Sequence, residues 1–448
     1  MNAHALAQRL ARNRLSRRDA LWLLGASTGV VAAPWLQGCA TSPVTGKSIV
    51  VGMSEAQERQ VDAQVSPHQF SQDLGPVQDA AVNDYVVSVG RSLQTHTHRP
   101  QMPYSYRVLN ANHVNAYTFP AGAMGVTRGI LVEMDDEAQL AALLGHEMGH
   151  VNARHAAQRQ GQALIAQSVV AGLNVAASNS QWGALVGLGS QIGASALLAG
   201  YSRDNEREAD ALGQEYMVRA GYPAGGMTAL HQILVDQDKA RPSLLQTMFA
   251  SHPMSTERRD TARRLAQERY GASASRPVQR ERYMDQTASL RRLKPTIEAC
   301  QRGETAMARK SYDDAASAFT RALTLTPQDY AANLRMAQCL QAQGRHRDAL
   351  RYAEAAKTLY PQEAQARKLT GVLALAQGDP GRAHAELLAF DRLLPGDPGV
   401  TFLRGVALEG LGEREAAARQ YHAFLRLGAQ GQAAQYSASR LKAWGYVK

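Results

Sequence analysis

The chain has 448 residues, of which 45% are hydrophobic and 20% charged, which indicates two or three domains and excludes a disordered or collagen-like chain. Its formal net charge is +10, but residues 1–38 contribute four of these charges. The remainder is mildly basic, and solvated helix faces explain it better than a nucleic-acid interface does. Three cysteines cannot form a disulfide framework, so the fold must depend on ordinary hydrophobic cores.

Residues 1–38 have the features of an export signal. A basic stretch that ends in Ser-Arg-Arg at 16–18 precedes an apolar run over 21–36, which is too short and too soon interrupted for a stable membrane span. The Ser-Arg-Arg resembles a twin-arginine signal, and the ordinary Sec route remains open beside it. An inner-membrane anchor that is never cleaved is the alternative to a cleaved signal.

A lipid anchor is predicted where this signal ends. Residues 36–39 read Leu-Gln-Gly-Cys and resemble a bacterial lipobox, in which Cys39 becomes the lipidated first residue of the mature protein. Ala40, rather than an aspartate, follows this cysteine. In lipoprotein families that feature implies release to the outer membrane, with the protein facing the periplasm. We interpret residues 39–60 as an N-terminal tether.

The segment 114–131 is rich in valine, alanine, aromatic residues and glycine, which predicts a strand or a hairpin. Pro120 lies near its middle, and a proline within a strand pattern indicates the edge of a sheet. Such an edge can take an extended polypeptide as an additional strand. A sheet edge without any ligand is the alternative.

A long helix that begins with acidic residues is predicted to follow at about residue 135, and it contains the motif HExxH. His146 and His150 are four residues apart and therefore lie on one face of a helix, where both imidazoles can reach one zinc ion. Glu147 can then reach a water at the metal. The flanking residues are apolar, which indicates a buried helix whose polar side chains need partners.

A catalytic zinc needs a third protein ligand, and the best candidate lies in residues 202–210, with the sequence SRDNEREAD. Glu206 and Asp210 are four residues apart on a predicted helix and share one face. We expect Glu206 to ligate the metal and Asp210 to accept a hydrogen bond from a ligand imidazole. Glu208 points to another face, where a solvated charge is expected.

These motifs resemble a known protease family. The HEMGH motif, the SRDNEREAD segment, and His252-Pro253 with Arg258 look like gluzincin metalloproteases of the HtpX and CAAX-prenyl endopeptidase type. With the lipidated start, the segment 114–131 and the repeats described below, the chain is more similar to BepA-like periplasmic proteases. The resemblance implies one zinc ion per chain, with ligands and catalytic base at His146, His150, Glu206 and Glu147.

The resemblance also places His252 at the metal site. There it would stabilise an oxyanion, or occupy the open coordination position and hold the enzyme latent. Arg258 would orient His252 or pair with a carboxylate.

Residues 162–200 are rich in alanine, glycine and serine, with asparagine and glutamine interrupting the apolar runs. These interruptions argue against a membrane span. We expect two packed helices that cover the active site.

The C-terminal third repeats itself with a period of 34 residues. Prolines, helix-contact alanines, turn glycines and a further set of small residues all return at this period: Pro327, Pro361, Pro395; Ala315, Ala349, Ala383, Ala417; Gly344, Gly378, Gly412; and Gly303, Ala337, Gly371, Gly405. Glycine suits the turn between two helices, and proline ends each unit because it cannot continue a helix. The pattern resembles the tetratricopeptide repeat.

The units are predicted at 296–329, 330–363, 364–397 and 398–431, with a capping helix at 432–448 and a linker or connecting helix at 271–295 before them. A solenoid of this kind presents a concave surface that binds protein segments, and a purely structural extension is the alternative. Cys300 and Cys339 are expected to pack as small apolar groups, and a disulfide between them remains open.

The predicted fold is mainly α. A signal peptide (1–38) and tether (39–60) lead into an α+β protease domain (61–270) with a small sheet beside the HExxH helix, followed by the linker (271–295) and an α-solenoid (296–448). The predicted function is zinc-dependent cleavage of misfolded or unassembled envelope proteins, with outer-membrane assembly machinery as a further partner of the repeats and no nucleic acid. The substrate class comes from the resemblance. The alternatives are a latent protease that acts as a chaperone-like assembly factor, and a small-molecule hydrolase.

Overall fold

The structure is a computed structural model that describes residues 39–163, 200–240, 248–429 and 431–447. The predicted signal and most of residues 162–200 therefore lie outside the described part of the chain. Within the described ranges, no helix combines the length and the apolar composition that crossing a bilayer requires.

The N-terminal part contains a short hairpin and two helices. Strand β1 (Ala40–Thr41) pairs antiparallel with β2 (Ser48–Ile49), and helices α1 (Glu55–Gln72) and α2 (Ala80–Gln94) follow. The segment 39–60, predicted as a tether, thus includes this hairpin and the first turn of α1. Its Glu58 side chain is fully buried, so the end of this segment packs on the domain.

A three-stranded sheet precedes the HExxH helix. Strands β3 (Ser105–Leu109), β4 (Ala116–Thr118) and β5 (Ala123–Thr127) are arranged in the order β3-β5-β4. Strand β3 is parallel to β5, and β4 is antiparallel to it. Of the strand or hairpin predicted within residues 114–131, the structure has the hairpin, with β4 at the edge of the sheet. Pro120 lies in the turn, where its missing N–H removes no ladder hydrogen bond.

The HExxH helix forms the centre of the domain. After α3 (Arg128–Leu131), helix α4 (Glu137–Ala153) begins where the Asp136 side chain accepts a hydrogen bond from the Gln139 N–H at 2.9 Å, so the predicted acidic helix start is confirmed. Every residue of α4 is buried. Helices α5 (Arg203–Arg219), α6 (Gly225–Ala240) and α7 (Thr256–Glu268) complete the domain.

The segment 271–295 is helical and packed against this domain. It contains a 3-10 turn (Gly271–Ser273) and the short helices α8 (Arg280–Gln286) and α9 (Ala288–Arg292). Tyr283 is fully buried and donates a hydrogen bond to the Leu131 carbonyl at 2.6 Å. The middle of this connection to the repeats is therefore fixed on the domain.

The C-terminal third consists of consecutive helical hairpins. Each of the four predicted units contains one hairpin, and a last helix follows them: α10 (Lys294–Ala308), α11 (Tyr312–Leu325), α12 (Tyr330–Ala342), α13 (His346–Leu359), α14 (Gln365–Ala376), α15 (Pro380–Leu393), α16 (Pro398–Gly410), α17 (Arg414–Arg426) and α18 (Gln432–Ala443). The prediction of a mainly α fold with a small sheet and helical repeats is confirmed.

The small residues of the repeat lie where the two helices of a unit cross. A Cβ atom added at Gly303 would lie 2.5 Å from the ring of Phe319, and one added at Gly405 would lie 2.6 Å from the ring of Tyr421. In the second unit the equivalent positions hold Ala337 and Ala353, so a methyl group takes the place of a ring. The sizes of the two positions thus compensate each other within a unit.

The repeats are docked on the N-terminal domain by buried contacts. Arg128 donates two hydrogen bonds to the Asp329 carboxylate, at 2.6 and 3.0 Å, and both side chains are almost fully buried. The Ser71 hydroxyl donates to Glu363 at 2.6 Å. Leu74, held at a positive φ of 70°, is fully buried within the core of the first repeats. The two parts therefore share one interface.

None of the three cysteines forms a disulfide. Cys300 and Cys339 are both buried in the core of the first repeats, where they pack as small apolar groups, and the disulfide left open by the sequence is not formed. Cys39 is exposed.

Candidate metal centre

Two imidazoles from α4 converge at the centre of the domain. The Nε2 atoms of His146 and His150 lie 3.1 Å apart, as expected for residues separated by one helical turn. Their side chains are buried, with 5% and 2% of each residue exposed. Glu147, one residue after the first histidine, is 1% exposed.

A third candidate ligand, the carboxylate of Glu206, comes from α5. It reaches the two histidines because the backbones of α4 and α5 are in contact where the helices cross. A Cβ added at Gly149 would lie 2.7 Å from the Ala209 Cα, and one added at Gly145 would lie 2.9 Å from the Gly213 carbonyl oxygen. This close approach brings the Glu206 carboxylate to 3.3 Å from His150 Nε2 and 3.5 Å from His146 Nε2.

His252 completes the cluster from the loop before α7. Its Nδ1 atom lies 3.1 Å from Glu206 Oε1 and 3.3 Å from His146 Nε2. Its Nε2 atom lies 3.8 Å from Glu147 Oε1. One ligand atom from each of His146, His150, Glu206 and His252 lies within 4.8 Å of the other three.

These residues fit a metal ion. Imidazole and carboxylate groups are the donors that zinc takes in catalytic sites. Both carboxylate oxygens of Glu147 are buried without a hydrogen-bond partner among the described residues. Buried polar groups ordinarily have partners, so an unpaired carboxylate beside clustered ring nitrogens indicates that a water or substrate belongs there.

Asp210 and Arg258 surround the cluster. Asp210 Oδ1 lies 2.9 Å from His146 Nδ1 and 3.2 Å from His231 Nε2. The guanidinium of Arg258 donates to both oxygens of Asp210 at 2.7 Å and lies 2.7 Å from Glu206 Oε2. Of the two expectations for Arg258, the structure has the pairing with carboxylates.

The surroundings displace the pKa values of three residues at the centre in different directions. Burial lowers the pKa of His150 well below its usual value, so this imidazole is neutral and can donate a lone pair. Burial opposes ionisation of Glu206, but His252 and His146 lower the pKa of this carboxyl group well below its usual value. Burial raises the pKa of Glu147, in the direction that makes a carboxylate a better base at neutral pH.

Three residues of the site have no counterpart in the sequence motifs. His155 Nδ1 lies 2.9 Å from His150 Nδ1, the Tyr201 ring stacks on His150 with centroids 3.8 Å apart, and His231 contacts Asp210. Glu208, expected to be a solvated charge, is 38% exposed in its side chain and lies 3.1 Å from His155 Nε2. No motif spacing indicates these contacts, because they depend on the left-handed turn at Arg154 and on how separate elements pack together.

The sequence matches two protein families. Residues 80–266 match peptidase family M48, and residues 306–373 match the tetratricopeptide repeat. The first match spans the sheet, the HExxH helix, α5 and most of α7. The second spans the whole second predicted unit and parts of the first and third, so the prediction of tetratricopeptide repeats is confirmed.

Curated relatives agree with these matches. The chain is 27% identical over 265 residues to the beta-barrel assembly-enhancing protease of Escherichia coli K12, which covers 57% of this chain and 52% of that protein. It is 33% identical over 162 residues to metalloprotease YcaL of the same organism, covering 35% of this chain and 59% of that one. The chain thus spans about half the length of the first of these relatives. The M48 match and the names of these relatives support a metalloendopeptidase.

Proposed function

We propose that this chain, which carries a peptidase family M48 domain followed by tetratricopeptide repeats, is a zinc-dependent endopeptidase of the bacterial cell envelope that cleaves misfolded or unassembled envelope proteins. The observation that carries the proposal is the convergence of His146, His150, Glu206 and His252 on one buried point, with the unpaired carboxylate of Glu147 beside it.

Each residue has a role in this proposal. His146, His150 and Glu206 hold the metal, and Asp210 fixes the orientation of His146. A zinc ion held by these three residues would supply Lewis acidity toward a peptide carbonyl and a water. Glu147 accepts the proton of the attacking water and passes it to the leaving amine.

Substrate binding is assigned to the outer edge of β4. The Phe119 N–H donates to the Ala123 carbonyl at 2.9 Å, and the Thr127 N–H donates to the Asn115 carbonyl at 3.0 Å. Because hydrogen-bonded positions alternate along an antiparallel strand, Ala116 and Thr118 direct their backbone N–H and C=O groups away from β5. Thr118 and His150 line the same small cavity, which links this edge to the candidate metal centre. An extended polypeptide added here would gain main-chain hydrogen bonds without sequence selectivity.

The cellular setting is a further part of the proposal. The signal-like residues 1–38 and the exposed Cys39 support a lipoprotein anchored to the outer membrane and facing the periplasm. The repeats would bind substrates or outer-membrane assembly machinery, as the name of the assembly-enhancing relative suggests. The protease domain is assigned to residues 61–270 and the repeat domain to 296–448.

Cleavage of an unfolded outer-membrane β-barrel protein by the mature, unlipidated chain tests the function. We expect Glu147→Gln to abolish cleavage while one zinc ion stays bound, because the ligand set is unchanged. His146→Ala should lose the metal itself. Glu257→Gln is the matched control, since its carboxylate is 57% exposed and pairs with Arg207 outside the cluster. Cleavage that survives in Glu147→Gln would contradict the assigned base.

The position of His252 favours a second candidate function, a latent protease that acts mainly as an assembly factor. Its ring lies within the ligand cluster, where it can occupy the coordination position that a catalytic zinc keeps open. His252→Ala distinguishes the two candidates. Faster proteolysis by the variant would identify His252 as a gate, whereas lost turnover with retained zinc would identify it as a group that assists catalysis.

A further inference from the structure

The C-terminal end of α4 is shaped so that His155 meets the ring of His150. In a continuous helix a residue five positions on lies about 140° around the axis and cannot face the first. Arg154 has φ 59° and ψ 36°, a left-handed conformation that ends α4, and a further helical stretch begins directly after it. The rings of His150 and His155 consequently lie 5.0 Å apart, at 70° to each other.

The hydrogen bonds between these residues are consistent with one set of tautomers. If His150 uses Nε2 for the metal, its Nδ1 carries the proton and donates it to His155 Nδ1 across 2.9 Å. His155 then carries its proton on Nε2 and donates it to Glu208 Oε2 across 3.1 Å. Every donor in this chain has an acceptor, and the carboxylate of Glu208 at its end, which can only accept, sets the direction.

The Nδ1 atoms of His146 and His150 therefore have different hydrogen-bond partners. His146 contacts a carboxylate directly, with Asp210 at 2.9 Å from its Nδ1. His150 reaches a carboxylate only through a second imidazole. His155 has no exposed side-chain surface, so water cannot readily replace it as the acceptor for His150.

We propose that His155 and Glu208 form a relay that positions His150 and fixes its tautomer for metal binding. The inference rests on the proposed zinc site and assigns two positioning residues to it. Neither side chain belongs to the group of four that offers ligand atoms at the centre. Their effect is exerted on the metal affinity through His150.

The test is the zinc affinity of the full mature chain, measured by competition with a chromophoric chelator. His155→Ala removes the acceptor for His150, and we expect a loss of about 10- to 100-fold, as for other groups that orient metal ligands. His155→Asn keeps an acceptor oxygen at the same distance along the side chain as Nδ1, so it should recover part of the affinity. Glu208→Ala should weaken binding less than His155→Ala, because Glu208 is partly exposed.

Two further measurements separate positioning from a general loss of structure. The visible spectrum of the cobalt-substituted protein reports the geometry of the metal ligands, and we expect it to change in His155→Ala. Unfolding of the metal-free protein, measured separately, reports any general loss of structure. Asp204→Ala removes a carboxylate that is 83% exposed, one turn earlier on α5, and should leave both zinc affinity and spectrum as in the parent. If His155→Ala fails to fold, Glu208→Ala decides.

The outcomes distinguish this inference from the proposed function. Zinc affinities and cobalt spectra that are equal in the parent, His155→Ala and Glu208→Ala would overturn the relay while leaving a zinc protease in place. A parent chain that binds no zinc would overturn the relay and the proposed function together. A loss in His155→Ala that His155→Asn does not recover at all would also overturn it, since volume rather than the acceptor would then matter.

Discussion

Asp210 connects three side chains at the metal centre from behind the predicted ligand His146. Its carboxylate lies within 3.2 Å of His231, 2.9 Å of His146 and 2.7 Å of Arg258. Burial alone would favour the protonated form, but His231 and Arg258 hold the pKa of Asp210 well below its usual value. The negative charge is thus retained in a buried position, and it neutralises the buried guanidinium.

Removing this carboxylate should therefore damage both stability and metal binding. We expect Asp210→Ala to lower the free energy of unfolding by about 3 kcal/mol, the lower end for a broken buried pair, because Glu206 still neutralises Arg258. Urea unfolding of the metal-free protein measures this loss, and chelator competition measures the accompanying loss of zinc affinity. Asp204→Ala on the same helix should change stability by less than about 0.5 kcal/mol. An equally small effect at Asp210 would contradict the prediction.

Asp62 gives the fold a specific dependence on pH. Its two oxygens accept hydrogen bonds from the Ala121 and Ala123 N–H groups at 2.9 Å, in the turn between β4 and β5. Burial, with Glu58 nearby, raises the pKa of Asp62 to about 7. Between about pH 7 and the usual range near 4, the folded protein binds a proton here that the unfolded chain does not.

Asp62 should therefore stabilise the fold as the pH falls through this window. The parent should gain stability relative to Asp62→Asn between about pH 8 and pH 5, by a difference on the order of 2–4 kcal/mol. Urea unfolding of both proteins at several pH values measures the difference. Unfolding free energies that run parallel over this range would show that Asp62 is ionised in the folded protein throughout.

The residues of the centre differ in how far the sequence predicts them. His146, Glu147 and His150 follow from one helical turn, since i and i+4 spacing fixes their common face. Glu206 and Asp210 follow from the same spacing on a second helix, once a third ligand is required. His155, Tyr201 and His231 do not follow, because a left-handed residue and the crossing of separate elements bring them in, and neither has a spacing rule.

At the scale of secondary structure, the crossing of α4 and α5 determines whether the ligands meet. Gly149 lies next to His150 on α4, at the point where α4 crosses α5, and it faces the backbone of Ala209 on α5. We expect Gly149→Ala to force the helices apart and to lower the free energy of unfolding by about 1–3 kcal/mol. The displacement of Glu206 should also weaken zinc binding, because a shift of about 1 Å is enough to disrupt a ligand set.

The control is a glycine with the same change but free space around it. Gly225, at the start of α6, would place an added Cβ with no atom within 4 Å. Gly225→Ala should leave zinc affinity unchanged and should stabilise the helix slightly, because alanine is the better helix former. If Gly149→Ala behaves like Gly225→Ala in both measurements, the close crossing does not position the ligands.

The repeat helices were predictable because several residue sets share one period. Each set has its own physical cause, such as the turn glycines Gly344, Gly378 and Gly412, which have φ between 74° and 78°. Lys310 takes the equivalent place in the first unit with φ 60°, so the backbone keeps the left-handed conformation although this residue is not a glycine. The packing of residues 271–295 was not predictable, since their composition has no periodicity and their contacts are with distant elements.

At the scale of the whole molecule, the repeats are attached through the ends of their own helices. Asp329 caps α12 by accepting a hydrogen bond from the Ala332 N–H at 2.7 Å, and it pairs with Arg128 directly after β5. Arg128 lowers the pKa of Asp329 although burial opposes this. The Asp329 carboxylate therefore caps a repeat helix and also binds Arg128, which lies between the sheet and the HExxH helix in the chain.

Losing one residue of the Arg128–Asp329 pair should lower the free energy of unfolding more than losing both, because a single substitution leaves the other charge buried without a partner. Arg128→Met leaves Asp329 buried and unpaired, so we expect a loss of about 3–5 kcal/mol and faster proteolysis between the domain and the repeats. Adding Asp329→Asn, which keeps an oxygen for the helix cap, should recover part of that loss, and the double-mutant cycle gives the coupling energy.

Arg345→Met is the matched control for this cycle, because its pair with Asp348 is about half exposed on both sides and should contribute less than about 1 kcal/mol. Limited proteolysis and urea unfolding are measured for the parent, the two single variants and the double variant, and each result is compared with that for Arg345→Met. Arg128→Met with the same stability and cleavage pattern as Arg345→Met would mean that the docked arrangement does not depend on this buried pair. A large coupling energy would instead show that this pair couples the repeats energetically to the protease domain, which gives a partner bound to the repeats a route to the sheet through Asp329 and Arg128.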